Sequence, residues 1–204
     1  AILMEQLLVE TGVEILYGTT VCQTAVSRGS IKALVVENKS GRYAVACGSV
    51  VDATGDADIV KLAGEETAIF QQKNILAGWY YYLDRSEVKL KMLGFSDTPD
   101  KYKTPEDPNQ ALPRYTGLEA GEISQMTIDS HQFLLENFLK DGGITPAHAL
   151  TAVAAIPQIR MTRRICGVYT LDDTEMHQEF GDSIGLVGDW RKPGPVYEIP
   201  FRSL

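Results

Sequence analysis

No Gly-x-Gly-x-x-Gly occurs in the 204 residues, so nothing here forms the loop that lays a pyrophosphate on a helix N-terminus. No apolar run approaches the roughly 20 residues of a membrane-spanning helix. The opening Ala1-Ile2-Leu3-Met4 is apolar but meets acid at Glu5, and it lacks the basic start of a signal peptide. Cations are outnumbered: 19 Lys and Arg face 27 Asp and Glu, and the net charge is −8. Nucleic acid, whose phosphates need clustered cations, is therefore not an expected partner, and neither is a membrane. Cysteine is scarce. Cys22, Cys47 and Cys166 are odd in number and lack Cys-x-x-Cys spacing, which argues against a disulfide framework or a zinc site. Reduced, partly buried thiols in a cytoplasmic protein are expected instead. His131, His148 and His177 show no ligand spacing, so no metal site is expected. The chain starts without an initiator methionine and stops at Phe201-Arg202-Ser203-Leu204, and both ends are read as cuts.

What remains is an ordinary globular composition, 44% hydrophobic and 23% charged, long enough to bury a core as one large domain or two small lobes. Apolar residues at Ile2, Leu3, Leu7 and Leu8 have helical spacing, and Gly12 stands where a helix would end. Val13 to Tyr17 alternates toward a strand. Thr20 to Val26, Ile31 to Glu37 and Tyr43 to Cys47 then read as three strands parted by turn compositions, a small antiparallel meander. Gly48 to Ala53 reads as a short strand buried on both faces, as in a parallel sheet.

After Gly64 the character changes. Trp79 to Leu83 is an aromatic strand candidate, and Asp84-x-x-Glu87 resembles a capping box opening a short helix to Leu93. Proline, aspartate and lysine dominate Ser96 to Thr116, a long loop. Ile123, Met126, Thr127, Ser130, Phe133, Leu134 and Phe138 share one helix face ahead of Gly142-Gly143. Thr151 to Ile156 and Arg164 to Thr170 read as strands around Pro157. Acidic residues between Asp172 and Asp182 form a turn or helix, Trp190 to Pro195 a loop, and Val196 to Phe201 an extended run. The fold class is mixed α/β and α+β.

One connection carries chemistry. A strand running into Ala53-Thr54-Gly55, then Asp56-Ala57-Asp58 and an apolar helix, ends where parallel sheets bind ligands. A small residue, a hydroxyl and a glycine let the backbone approach a bulky group. Asp56 or Asp58 could equally cap the following helix, a role any strand–helix connection uses.

The order of elements resembles the second half of the flavin-binding domain in glutathione-reductase-like flavoproteins. Val51-Asp52-Ala53-Thr54-Gly55-Asp56-Ala57-Asp58 is similar to the Asp-Ala-Thr-Gly-Asp-Ala-Asp signature of the FAD-dependent oxidoreductase family related to fumarate-reductase flavoproteins. Pro157-Gln158-Ile159-Arg160-Met161-Thr162-Arg163-Arg164-Ile165 resembles that family's Pro-x-Ile-Arg-x-Thr-Arg-Arg run. Tyr197 to Leu204 resembles its Ile-Pro-Tyr-Arg-x-Leu stretch. Phe70 to Thr145 has no counterpart that we can match.

The resemblance implies a partial FAD-binding, Rossmann-like lobe over 1–64 with its β-meander, and an α+β substrate or cap lobe over 65–204. It implies FAD as cofactor of a longer parent, held weakly or not at all by this piece. Ala53, Thr54 and Gly55 would approach the cofactor, with Asp56 either beside it or capping. Val21 matches a position whose backbone meets the adenine, and a plain core valine fits there too. Arg160, Arg163 and Arg164 would act in the substrate lobe, stabilising charge on reduced flavin or clamping a carboxylate; an interlobe ion pair is the plainer alternative. Trp79 to Tyr82 could line a substrate pocket or sit in the core. Arg191 and Lys192, beside proline and glycine, are expected in a mobile loop, and Arg202 is a further candidate for the lobe's opening.

The implied activity is hydride transfer between a small, carboxylate-bearing substrate and FAD, with the piece itself inactive. A non-enzymatic α+β binding or assembly module is the competing reading. An exposed sheet edge in a truncated flavin domain is expected to drive self-association.

Overall fold

A computed structural model describes residues 2–76, 78–93, 104–106, 112–155, 159, 161–188, 194 and 196–203. The elements begin with α1 (Ile2–Glu10), β1 (Thr20–Ser27), β2 (Ser30–Asn38), β3 (Gly41–Ala46) and α2 (Asp58–Leu62). They continue with β4 (Thr67–Ile69), β5 (Gly78–Asp84), β6 (Glu87–Leu93) and the long α3 (Ala120–Lys140). β7 (His148–Val153), β8 (Arg163–Ile165), β9 (Ser183–Gly188) and β10 (Val196–Pro200) complete the order. The chain is mixed α+β. It divides into two compact units, Ala1–Thr67 with Ile165–Leu204, and Ala68–Arg164.

In the first unit β1, β2 and β3 form the antiparallel meander. Arg28–Gly29 is a two-residue turn closed by the Ser27–Ser30 pair. At the second turn the Asn38 side-chain carbonyl accepts the Ser40 N–H at 2.9 Å. The register of β1 shifts at Cys22, whose thiol lies 3.3 Å from the Val35 carbonyl. α2 packs on β1, where the Thr24 hydroxyl donates to the Leu62 carbonyl at 2.8 Å. Val36 and Ile59 are buried. The helix expected at the N-terminus is α1, but it buries none of its residues.

Two local expectations fail here. Residues 48–53 form no strand, and Val51 is 90% exposed. A strand exists through its neighbours, and among the described residues none pairs with this segment. Val13 to Tyr17 likewise stays outside any sheet. The Val13 N–H instead closes the end of α1 on the Leu8 carbonyl at 3.0 Å.

The second unit centres on the sheet β6–β5–β7. Its helix-facing side packs Tyr80 and Leu93 with Leu134 and Phe138 of α3, and Tyr82 and Leu150 lie against them. Most of the predicted helix face is buried: Met126, Ser130, Leu134 and Phe138 point inward, whereas Phe133, expected on the same face, is exposed. The helix expected over residues 84–93 is instead the strand β6. Arg85 turns the chain at φ 59°, and Val88, Leu90 and Met92 alternate with Lys89 and Lys91. Period two over seven residues outweighed the two-residue resemblance to a cap.

The aromatic stripe divides between both readings offered for it. Tyr80 and Tyr82 enter the core, whereas Trp79 and Tyr81 stand on the opposite face. There, with Leu90 and Met92, they line a cleft of about 220 Å³. Of the strands expected around Pro157, the first is β7, which starts three residues earlier than expected, the second shortens to β8, and β4 pairs with β8. Pro157, most of Ser96 to Ala111 and the loop 190–193 lie outside the described residues.

Candidate functional site

The connection at 52–60 folds around one carboxylate. Asp52 Oδ1 accepts the Thr54 hydroxyl at 2.7 Å and the Thr54 N–H at 3.1 Å. Its other oxygen accepts the Ile59 and Val60 N–H groups at 3.0 and 3.1 Å. The Thr54 hydroxyl in turn accepts the Asp58 N–H at 3.1 Å and the Asp56 N–H at 3.4 Å. The cap expected from Asp56 or Asp58 is thus supplied to Ile59 and Val60 by Asp52. The chain reaches the helix through Ala57 at φ 51°, a left-handed residue that brings α2 back over the carboxylate.

Partial burial alone would raise the Asp52 pKa. Hydrogen bonds from the Thr54 hydroxyl and N–H and from the Val60 and Ile59 N–H groups outweigh it, and hold the carboxyl below the ordinary aspartate range. A lowered folded-state pKa means that ionised Asp52 stabilises the fold above the ordinary value, and that this contribution is lost as pH falls through the lowered one. Asp52→Ala is expected to lower stability at pH 7 by about 1–3 kcal/mol, the scale for removing a charged hydrogen-bonded cap. The gap from wild type should narrow as pH falls from about 5 toward 2, where wild-type Asp52 also becomes neutral. Urea unfolding across that range tests this, and a gap independent of pH would contradict it.

Ala53, Thr54 and Gly55 are exposed, and Asp56 is half-buried. Gly55 sits at φ +85°, where a side chain is strained, yet a Cβ built there meets no atom within 4 Å. Space is therefore open beside the turn, so a bulky group can come against its backbone. Val21, half-buried, pairs with Val36 at the start of β1. Both features lie in the first unit.

The arginine run belongs to the second unit. Arg160 lies outside the described residues. Arg163 is half-buried and Arg164 exposed; consecutive on β8, they project to opposite faces, and both already engage other groups.

What sequence reading missed is the anchorage of this run. Asn74, 5% exposed, brackets Met161: its Nδ2 donates to the Met161 carbonyl at 2.7 Å, and its Oδ1 accepts the Met161 N–H at 3.1 Å. The backbones of Asn74 and Tyr115 exchange two further hydrogen bonds, at 2.8 and 2.9 Å. The Phe70 N–H donates to the Thr162 carbonyl at 2.7 Å. Gly117 passes so close that a Cβ there would lie 3.0 Å from Ile159 Cγ2 and 3.1 Å from Thr162 Cγ2.

Glu122, in the first turn of α3, steadies this corner. Its carboxylate accepts the Thr116 hydroxyl, the Thr116 N–H at 2.8 Å and the Gly117 N–H at 3.0 Å. Burial would raise its pKa, but those donors hold it low. The Tyr115 hydroxyl donates to Asp129 at 2.6 Å, and burial together with that carboxylate pushes the phenol up to about 12. The only sequence signal was a polar Asn74 beside the apolar Ile75-Leu76.

Arg202, a candidate for the opening of the substrate lobe, is held within the first unit. Its guanidinium lies 4.7 Å from the Tyr169 ring centroid and 5.3 Å from that of Phe180, and it pairs with Asp182 at 3.3 Å. Arg191 and Lys192 lie outside the described residues. Cys22, Cys47 and Cys166 are free thiols, with Cys166 exposed. Among the described residues no cluster of three metal-ligating side chains occurs, and no helix is long and apolar enough to cross a membrane.

Compared with known proteins, residues 1–78 match the sequence model of the family described as FAD dependent oxidoreductase. That stretch contains the meander, the Asp52 turn and α2. No curated protein and no solved structure matches the chain.

Proposed function

We propose that the chain, whose residues 1–78 match the sequence model of the FAD dependent oxidoreductase family, is part of an enzyme transferring hydride between a small, carboxylate-bearing substrate and FAD. The family's cofactor is FAD, and redox function follows from it at that coarse level. The observation that carries the finer reading is the turn at 52–56: its backbone is held from within by Asp52, and beside Gly55 there is open space. These features fit one contact with the cofactor. They do not make a complete site, since the chain has no glycine-rich phosphate loop.

When bound, FAD supplies the two-electron chemistry, and the protein orients the substrate and excludes water. Ala53, Thr54 and Gly55 offer backbone to the cofactor, because the Thr54 hydroxyl already donates to Asp52. Asp56 borders that face, and Val21 serves the adenine side. Arg160, Arg163 and Arg164 are the cations assigned to the substrate carboxylate, for which the planar guanidinium is suited. The first lobe is assigned a Rossmann-like frame. The free thiols support a reducing, cytoplasmic setting. β3, exposed at all six residues, is the sheet edge assigned to self-association, which a monodisperse monomer by light scattering would contradict.

The test is the visible spectrum. An intact parent protein that supplies the missing glycine-rich loop should purify with flavin absorbance, and this chain alone should bind added FAD weakly or not at all. Gly55→Val in the intact protein should weaken FAD retention roughly tenfold or more, because its branches enter the open space. A colourless intact protein would sink the proposal. One observation favours the competing module reading: every polar atom of Asp52 and Thr54 described above is satisfied inside the turn, as a purely structural connection would have it. Under that reading Gly55→Val leaves ligand binding untouched.

A further inference from the structure

We infer that Asn74 is a positioning residue for Arg163 and Arg164, acting through the backbone of Met161. The inference rests on the reading that these arginines hold a carboxylate. A primary amide offers one donor and one acceptor side by side, which matches the C=O and N–H of a single residue. Asn74 uses both on Met161, at 2.7 and 3.1 Å, across 87 residues of sequence. It is itself fixed by two backbone hydrogen bonds to Tyr115 and is 5% exposed, so the amide that makes the pairing is held in place.

Met161 is half exposed and contributes little core, so burying that side chain does not account for the bracket. What the bracket fixes is the path of the chain as it enters β8. Arg163 opens β8 two residues beyond Met161, and Arg164 follows it. Thr162 is locked on the same stretch through its carbonyl and against Gly117. A guanidinium meets a carboxylate well only if its backbone holds still, since misplacing it by about 1 Å can cost as much as 100-fold. Leu or Ala at position 74 would leave the C=O and N–H of Met161 without these partners.

The experiment uses the intact protein, with malonate as the probe and isothermal titration calorimetry as the readout. Asn74→Ala should weaken malonate binding about tenfold, with the Met161 amide exchanging faster with solvent while that of Tyr80 does not. Combined with Arg163→Gln and Arg164→Gln, it should cause no further loss, because Asn74 acts through those arginines. A merely structural role predicts an additive loss and uniformly faster exchange, and either result overturns the inference. Loss of affinity in the arginine variant with none in Asn74→Ala overturns the inference alone. Unchanged affinity in the arginine variant overturns the carboxylate reading along with it.

Discussion

Phe138→Ala is expected to destabilise the second unit by about 3–5 kcal/mol, the range for truncating a fully buried aromatic ring. Phe138 is 0% exposed and central to its core. Its ring meets Tyr80 edge-on at 5.9 Å and Tyr82 at 6.4 Å, and it stacks on His148 at 4.5 Å with the planes only 4° apart. Three ring contacts of this kind add to the burial. The cavity cannot collapse easily, because its walls are a hydrogen-bonded sheet on one side and the 21-residue α3 on the other. His148 is itself held, its Nδ1 lying 2.7 Å from the Gly143 carbonyl. Urea unfolding followed by Trp79 fluorescence in a Trp190→Phe background measures the effect. A loss below about 1 kcal/mol would mean that the helix resettles onto the sheet. Phe138→Leu, which keeps most of the apolar contact, should cost markedly less.

The readable parts of this fold share one trait: their signal is local. The meander announces itself through alternation and through Arg28-Gly29 and Asn38-Lys39-Ser40-Gly41, where the chain does reverse. α3 is legible because its buried residues recur every four positions from Met126 to Phe138. β6 is hard to read locally although its alternation is present, because Asp84 and Glu87 also satisfy a capping pattern and the hairpin turn depends on the φ of Arg85. The apolar stretch 48–53 was misread for a different reason. Hydrophobic composition says that a segment seeks burial, but only a neighbouring strand makes it a strand.

The same boundary runs through the candidate site. The Ala53-Thr54-Gly55 turn is visible as a motif, and its match to the family model extends over the whole meander. That Asp52 caps α2 was not visible, because the bonded N–H groups lie seven and eight residues downstream and the usual rule looks to the residue beside the helix. The mount of the arginine segment was further still from view. Asn74 and Met161 are separated by most of the second unit, and no local pattern encodes a contact over that distance.

Gly117→Ala tests that mount through shape and not through polarity, and its expected effect is of the same order as that of Phe138→Ala. Two costs combine. Gly117 has φ +73°, a conformation that disfavours any residue with a Cβ by roughly 1–2 kcal/mol. The new methyl would also stand 3.0 and 3.1 Å from Ile159 Cγ2 and Thr162 Cγ2, closer than packed carbons tolerate, and overpacking of this kind costs roughly 1–3 kcal/mol. Thr162 cannot retreat, since it is buried and its carbonyl accepts the Phe70 N–H. Gly117 cannot yield either, because Glu122 holds its N–H. The total, about 2–5 kcal/mol, should appear as a lower urea midpoint. Faster amide exchange at Met161 and Phe70 should accompany it, with little change at β6. Asn74→Ala loosens the same strand without pushing it. Exchange that rises at Met161 in both variants, but at Phe70 only in Gly117→Ala, separates steric displacement from loss of the amide bracket. Unchanged stability in Gly117→Ala would show that Ile159 swings clear and that the close approach constrains nothing.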